Sequence, residues 1–380
     1  MRQLTIGGAT LASLLWVIAN PVAAGETAVE VRVDGQTFRG LIEAHDDHTA
    51  YMIGADGEMR SFPIEAVSTF RPTGQRLSPK PIVAVRADLQ REFGGEYEVV
   101  TSSRYVVVAP RGRARAYLAT FDEIGRTFIG YFRRRRIPLS RPEFPLVAII
   151  FATPQEFADY AQRDGVGSVE SVAGYYLRTS NRVAAYESTS GRGRALAGLG
   201  QADFRVPPAG EAAVDDRLIR TLIHEATHQM AFNSGLHHRA GVNPKWVVEG
   251  LATLLEPDGV REGRDFENVE SRVNAGRLRY AQRVGLESWT TGSLVELVSS
   301  DAPFKRDAGS AYSLAWCLSF YLNETRASDY ARYLATLKAR DPLAPYPPTE
   351  RLRDFRLVFG HDMARFDAGL RRFLEQLPEA

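Results

Sequence analysis

The chain has 380 residues, of which 44% are hydrophobic and 24% are charged, and its formal net charge is +1. These values are typical of a folded protein with two or three domains, and the balanced charge gives no reason to expect nucleic acid as a partner. The single cysteine, Cys317, excludes a disulfide framework and an all-cysteine metal site. We expect Cys317 to be a packing residue. The four arginines at 133–136 are expected to form a solvated helix end.

The first 24 residues are typical of a secretory signal peptide. Arg2 gives a basic start, an apolar run follows over residues 11–19, and small residues at Val22 and Ala24 fit cleavage after Ala24. This run is too short for a stable membrane span, and no later stretch reaches the required length. We therefore expect an exported protein, periplasmic or extracellular, without a membrane span after cleavage. An uncleaved N-terminal anchor is the alternative.

Residues 25–72 have the pattern of β-strands. Apolar and charged residues alternate from Val29 to Val33, and an Asp-Gly turn follows. We expect a small β-barrel of four or five strands, which resembles the SH3-like barrels that often precede bacterial exported enzymes. The expected role is a stabilising module, and contact with peptide or the cell envelope is the alternative. Residues 73–81 are the predicted linker.

The predicted second domain spans residues 82–380, and helices and strands alternate in its upper part, 82–213. This alternation predicts a mixed sheet packed by helices. The strand at 182–187 is the candidate edge strand, which would hold an extended peptide by main-chain hydrogen bonds, with an interior strand as the alternative. Residues 188–211 have no clear period, and we interpret them as a mobile loop beside the cleft, either a lid or an insertion.

The lower part, residues 214–380, contains the motif His224-Glu225-Ala226-Thr227-His228 on a predicted helix. His224 and His228 are four residues apart, so their imidazoles leave the same face of the helix and can bind one metal ion. Glu225 follows the first histidine directly. Its carboxylate can take a proton from a metal-bound water without filling a coordination position.

A catalytic zinc usually takes three protein ligands, so the sequence should supply a third. Our candidate is Glu249, on a second predicted helix that begins at Asn243-Pro244. Gly250, beside it, is expected to allow close packing against the histidine helix. The expected site therefore binds one Zn²⁺ through His224, His228 and Glu249. The alternative is that the histidines are solvated and that the glutamate pairs with an arginine.

The motif, followed after 20 residues by Glu249-x-x-Ala252, resembles the gluzincin (peptidase MA-like) zinc metallopeptidases. More narrowly, it resembles a bacterial exported group of largely unassigned function. The resemblance covers residues 215–323, and more loosely the chain from residue 99 onward. It implies an α+β, zincin-like domain with a mixed sheet, a histidine helix and C-terminal helices.

Gluzincin membership would imply that His224, His228 and Glu249 bind zinc and that Glu225 is the general base and later the proton donor. One position departs from the family pattern. Thr253 stands where several gluzincins have an aspartate that orients a zinc-bound histidine. The sequence therefore does not identify the partner of that histidine.

A tyrosine opens the helix predicted at 310–323, and related sequences have a tyrosine at this place. Near zinc, the phenol of Tyr312 would donate a hydrogen bond to the oxyanion that forms when water attacks an amide. A core aromatic is the alternative. His237 and His238, between the two ligand helices, are expected to be exposed.

The predicted function is hydrolysis of peptide bonds in a peptide or protein substrate by a zinc-activated water, with Glu225 as the general base. Two alternatives remain open. One is a catalytically silent zincin-fold protein that binds a partner or acts as a scaffold in the envelope. The other is a zinc hydrolase of a non-peptide bond.

Overall fold

The computed structural model describes residues 27–170, 172–187, 216–262, 268–285 and 289–378. They form an α+β structure with two five-stranded sheets. The predicted signal peptide, 1–24, and the predicted mobile loop, 188–211, lie outside the described residues. Among the helices in the described ranges, none combines the length and the apolar composition that a membrane crossing requires.

The first sheet is antiparallel and open. Its strands are β1 (Thr27–Val33), β2 (Gln36–His45), β3 (Thr49–Gly54), β4 (Met59–Pro63) and β5 (Val67–Arg76). Their order is β4-β3-β2-β1-β5, which confirms the predicted number of strands. The prediction of a barrel is wrong in one respect, because β4 and β5 are the two outer strands and do not pair. At the start of β4, the amide of Met59 instead donates to the carbonyl of Thr179 at 2.7 Å.

Strand β5 and the first helix lie on either side of the predicted domain boundary. Strand β5 continues to Arg76, so it includes the first part of the predicted linker. Helix α1 (Ile82–Phe93) begins at the predicted start of the second domain. Phe144 of the second domain packs with Ile53 and Met59 of the first sheet, which gives the two domains a shared apolar contact.

The second sheet is mixed. Its strands are β6 (Tyr97–Thr101), β7 (Tyr105–Pro110), β8 (Leu146–Phe151), β9 (Gly174–Leu177) and β10 (Arg182–Tyr186), in the order β6-β7-β8-β10-β9. The three inner strands are parallel, and both outer strands are antiparallel to their neighbours. Strand β10 therefore lies inside the sheet, so the predicted edge strand is wrong. Its hairpin partner β9 is the edge strand instead.

Helices cover both faces of the mixed sheet, because its inner strands are almost entirely apolar, with Arg182 at the start of β10 as a charged exception. In β7, Val106 and Val108 pack in the smaller core with α1 and with α3 (Pro154–Arg163). Val107 and Ala109 point to the opposite face and pack in the larger core with α2 (Ala114–Arg134). That larger core continues into the helical part of the domain.

The remaining described residues, from 216 onward, form helices and the turns between them. The helices are α4 (Asp216–Asn233), α5 (Lys245–Leu254), α6 (Asp258–Glu262), α7 (Ala275–Tyr280), α8 (Thr291–Ser299), α9 (Ala302–Arg306), α10 (Ala308–Thr325), α11 (Ala327–Lys338), α12 (Pro348–Phe359) and α13 (Met363–Glu375). Helix α10 lies at the centre, with Trp316, Cys317 and Phe320 fully buried. The prediction that Cys317 is a packing residue is confirmed, and burial raises the pKa of its thiol.

The arginine run at 133–136 is only partly solvated. Arg135 is buried, and its guanidinium pairs with Glu324 of α10 and lies 3.7 Å from the ring centroid of Tyr131. Arg272 binds the same carboxylate at 2.7 Å. The prediction of a solvated helix end is therefore wrong for Arg135, because an acid far along the chain compensates its buried charge.

Candidate metal centre

Helix α4 places the two histidines beside the mixed sheet. Its apolar side is buried at Leu222, Ile223 and Met230. The buried side chain of Gln229 fixes the helix to the sheet, because its amide donates to the carbonyls of Val147 at 3.0 Å and of Asn181 at 2.9 Å. His224 and His228 therefore lie on a helix whose rotation is set by packing and by polar contacts.

Helix α5 brings Glu249 to the histidines. The helix begins at Lys245, whose backbone amide donates to the Oδ1 atom of Asp301 at 2.9 Å. Gly250 allows a close contact, but the partner is α10 and not the predicted histidine helix. A Cβ atom on this glycine would lie 2.6 Å from the carbonyl oxygen of Ala315. The close contact between α5 and α10 thus fixes the position of the helix that carries Glu249.

His224, His228 and Glu249 converge, as predicted. The Nε2 atoms of the two histidines are 3.1 Å apart, and each lies 3.4 Å from the Oε2 atom of Glu249. Among the described residues, these three form the group of side chains that is compatible with a metal ion. The sequence therefore identified all members of this group.

The geometry of the three atoms fits a small tetrahedral cation. Zinc bonds of about 2.1 Å at tetrahedral angles put ligand atoms about 3.4 Å apart, close to the three separations observed. The Oε2 atom of Glu249 is buried and has no hydrogen-bond donor among the described residues. A buried carboxylate oxygen without a donor is costly, and a bound cation would satisfy it. Two imidazoles and one carboxylate are also a donor set that suits zinc.

Glu256 orients the first histidine. Its Oε1 atom lies 2.9 Å from Nδ1 of His224, and its Oε2 atom accepts a hydrogen bond from Asn274 at 2.7 Å. A carboxylate on Nδ1 leaves Nε2 free to face the metal. Thr253 does not serve this role, because its hydroxyl donates to the carbonyls of Glu249 and Gly250, both at 2.9 Å. Sequence analysis missed Glu256, although it follows Glu249 by seven residues, two helical turns.

Glu225 lies beside the three ligand side chains without being one of them. Its Oε2 atom accepts a hydrogen bond from the backbone amide of Tyr176 at 2.8 Å, on edge strand β9. The turn between β9 and β10 is tied to α4, because the side-chain amides of Asn181 and Asn233 bond to each other at 2.7 and 3.0 Å. The edge strand is therefore held in position next to Glu225.

The charges of the site shift the pKa values of its members. Burial raises the pKa of Glu225, and the nearby His224 and His228 only partly offset this effect. Burial opposes ionisation of Glu249, but the two histidines hold its pKa well below the usual range. Burial would lower the pKa of His224, yet the carboxylates of Glu249 and Glu256 raise it well above 6.5. This electrostatic field strongly favours a positive charge between the ligands.

Tyr312 lies beside His224. Its ring centroid is 6.5 Å from that of His224 and 5.5 Å from that of Phe304. Burial, followed by the negative charges of Glu249 and Glu225, raises the pKa of the phenol. The hydroxyl therefore keeps its proton at neutral pH and is able to donate a hydrogen bond.

The two histidines between the ligand helices differ from expectation. His237 is buried, its Nε2 atom has no partner among the described residues, and burial lowers its pKa to about 3. His238 is only half-buried, and its Nε2 atom lies 2.7 Å from the carbonyl oxygen of Lys338. The prediction of exposure is therefore wrong for His237, which packs on the ring of Phe232 at 5.0 Å between centroids.

A family model described as a protein of unknown function (DUF1570) matches residues 218–344. No curated protein matches the chain. The matched segment is about a third of the chain, and it contains every side chain of the metal centre from His224 to Tyr312. Both sheets lie outside it. The similarity to this family is thus confined to the helical part that forms the candidate site.

Proposed function

We propose that the chain is an exported zinc metallopeptidase of the gluzincin type. The observation that carries the proposal is the placement of Glu225, a buried carboxylate beside His224, His228 and Glu249 that does not belong to the ligand group. A purely structural metal site needs no such group. The proposed export rests on the signal-like character of residues 1–24.

A zinc ion held by these three side chains would act as a Lewis acid and lower the pKa of a coordinated water to about 7. Glu225 would accept a proton from the attacking water and later deliver it to the leaving amine. Its raised pKa suits both steps, because the protonated form is less costly in a buried site. The amide of Tyr176 would hold the carboxylate in one orientation throughout.

Two further elements would bind the substrate. Strand β9 is an outer strand of the mixed sheet, so an extended peptide would pair with the edge that faces away from β10. The phenol of Tyr312 would donate a hydrogen bond to the oxyanion that forms when water attacks the amide carbonyl. Its raised pKa keeps that proton available through neutral pH.

Metal analysis and hydrolysis of an unstructured protein such as casein, measured on the same preparations, test the proposal. The chain that begins after residue 24 should contain about one zinc and cleave the substrate. Glu225→Gln should keep the zinc and lose hydrolysis, whereas Glu249→Ala should lose both. The exposed Glu296→Gln serves as the matched control and should lose neither.

Full zinc content with no hydrolysis by the unsubstituted chain would refute the peptidase proposal. It would then favour a zincin-fold protein that binds a partner, or a hydrolase of another bond. Hydrolysis that persists in Glu225→Gln would refute the role of that carboxylate.

A further inference from the structure

Two cationic side chains flank Tyr312 at the edge of the metal centre. The guanidinium carbon of Arg277, on α7, lies 5.3 Å from the centroid of the Tyr312 ring. The ammonium of Lys245, at the start of α5, lies 5.9 Å from the same centroid and 5.1 Å from that of Phe304. Both side chains are half-buried. Both positive charges thus lie next to the ring of Tyr312, which itself packs beside His224.

Neither cation forms an ion pair with an acid in the part of the chain that the structure describes, and the charge of Arg277 acts on Glu256 only without direct contact. The side chains of Arg277 and Lys245 form no ion pair and no hydrogen bond there. This differs from buried Arg272, which binds Glu324. An aromatic face compensates a cation by only about 0.5–2 kcal/mol, so both charges keep most of their capacity to bind an anion.

The acids nearby are already engaged. Glu256 contacts His224 and Asn274, and Glu225 accepts from the amide of Tyr176. Glu249 faces the two histidines. With zinc bound, these three carboxylates would face two charges of the metal and the two side-chain cations, which leaves an excess of about one positive charge. An anionic group on the substrate would balance it.

We propose that Arg277, assisted by Lys245, binds a carboxylate of the substrate next to the metal centre. The substrate class is therefore peptides with an acidic side chain close to the scissile bond or with a free C-terminal carboxylate there. Arginine suits this task because its planar guanidinium binds a carboxylate through two parallel hydrogen bonds. This inference rests on the proposed peptidase function, but its test uses binding and does not require cleavage.

The test measures binding of dye-labelled peptides to the zinc-loaded Glu225→Gln chain by fluorescence anisotropy. One set of C-terminally amidated peptides has a single glutamate moved along an otherwise neutral sequence, with glutamine in the matched peptides. A second pair compares the free C-terminal carboxylate with the amide. We expect one acidic position or the free terminus to tighten binding about 10- to 100-fold, the range for a hydrogen-bonded charge. The peptide set that shows tighter binding identifies whether the carboxylate belongs to an acidic side chain or to the C-terminus.

Arg277→Gln, added to the same chain, should remove this gain and change binding of the neutral peptide by less than about twofold. Lys245→Gln should remove part of it. Arg279→Gln, which deletes the same charge from the same helix, is the matched control and should keep the gain. Zinc content and the thermal midpoint of each variant show whether the site remains folded.

Two results would overturn the inference. One is equal binding of all acidic and neutral peptides, and the other is an equal loss for both kinds of peptide in Arg277→Gln. The second result would assign Arg277 to support of the metal centre. This test measures binding and not cleavage. Absence of hydrolysis in the unsubstituted chain would therefore refute the peptidase proposal, whereas the binding data would still test the role of Arg277.

Discussion

Replacement of Glu256 by glutamine tests the most specific contact of the site. The carboxylate has two acceptor oxygens, one at 2.9 Å from Nδ1 of His224 and the other at 2.7 Å from the amide nitrogen of Asn274. Asn274 is itself fixed, because its Oδ1 atom caps α7 by accepting from the backbone amide of Arg277 at 3.2 Å. Its nitrogen must therefore donate toward residue 256.

A glutamine amide has one acceptor and one donor group, so it is able to satisfy only one of these two neighbours. In either orientation, an N–H group would face another donor. The substitution also removes the negative charge that favours the Nδ1–H tautomer of His224. Loss of such an outer partner typically weakens metal affinity 10- to 100-fold, or about 1.4–2.7 kcal/mol.

The assay is competition for zinc with a chromophoric chelator, followed at neutral pH for both proteins. We expect the zinc dissociation constant of Glu256→Gln to rise within that range. Thr253→Val is the matched control, because its hydroxyl contacts only carbonyls of its own helix. An unchanged dissociation constant in Glu256→Gln, or an equal change in Thr253→Val, would refute the assignment of Glu256 as the partner of His224.

Three predictions concern stability. The pKa of His237 is about 3 in the folded chain against 6.5 for a free histidine, so only the unfolded state takes up a proton between these values and stability falls as the pH drops. His237→Asn should flatten this dependence by up to about 1.4 kcal/mol per pH unit in urea titrations. Glu324→Gln should cost about 3–5 kcal/mol in urea unfolding because two buried arginines lose their acid, whereas exposed Glu296→Gln should cost under about 1 kcal/mol. Gly250→Ala should cost about 1–3 kcal/mol by the same method, and an unchanged midpoint would contradict the close contact with α10.

Local sequence patterns were sufficient to identify the three side chains of the candidate metal centre. The spacing of His224 and His228 follows from the helical period, and Glu249 follows from the need for a third donor. The start of helix α3 at Pro154 likewise follows from a local pattern, because Thr153 and Glu156 form a capping box.

Features that depend on distant pairing were not predictable. The order of β9 and β10 is set by which strand reaches β8, and alternation within each strand contains no information about it. The open form of the first sheet was likewise not predictable, because the outer strand β4 contacts Thr179, which is distant in the sequence. The burial of Arg135 depends on Glu324, which is 189 residues away.

Glu256 illustrates a third kind of limit. It lies just beyond the end of α5 at Leu254, where the helical period no longer predicts the direction in which a side chain points. Its contact with His224 arises from the turn after the helix and from Asn274, which approaches from a separate segment. A search for acids two turns after the third ligand would have found it.

Anomalous diffraction at the zinc edge, from crystals of the zinc-loaded chain, tests the central claim most directly. The account predicts one strong peak among the Nε2 atoms of His224 and His228 and the Oε2 atom of Glu249, about 2.0–2.2 Å from each. The same peak should be absent from crystals of Glu249→Ala. A peak bound by other side chains, or no peak at these three atoms in zinc-saturated crystals, would contradict the assignment of this cluster as a zinc centre.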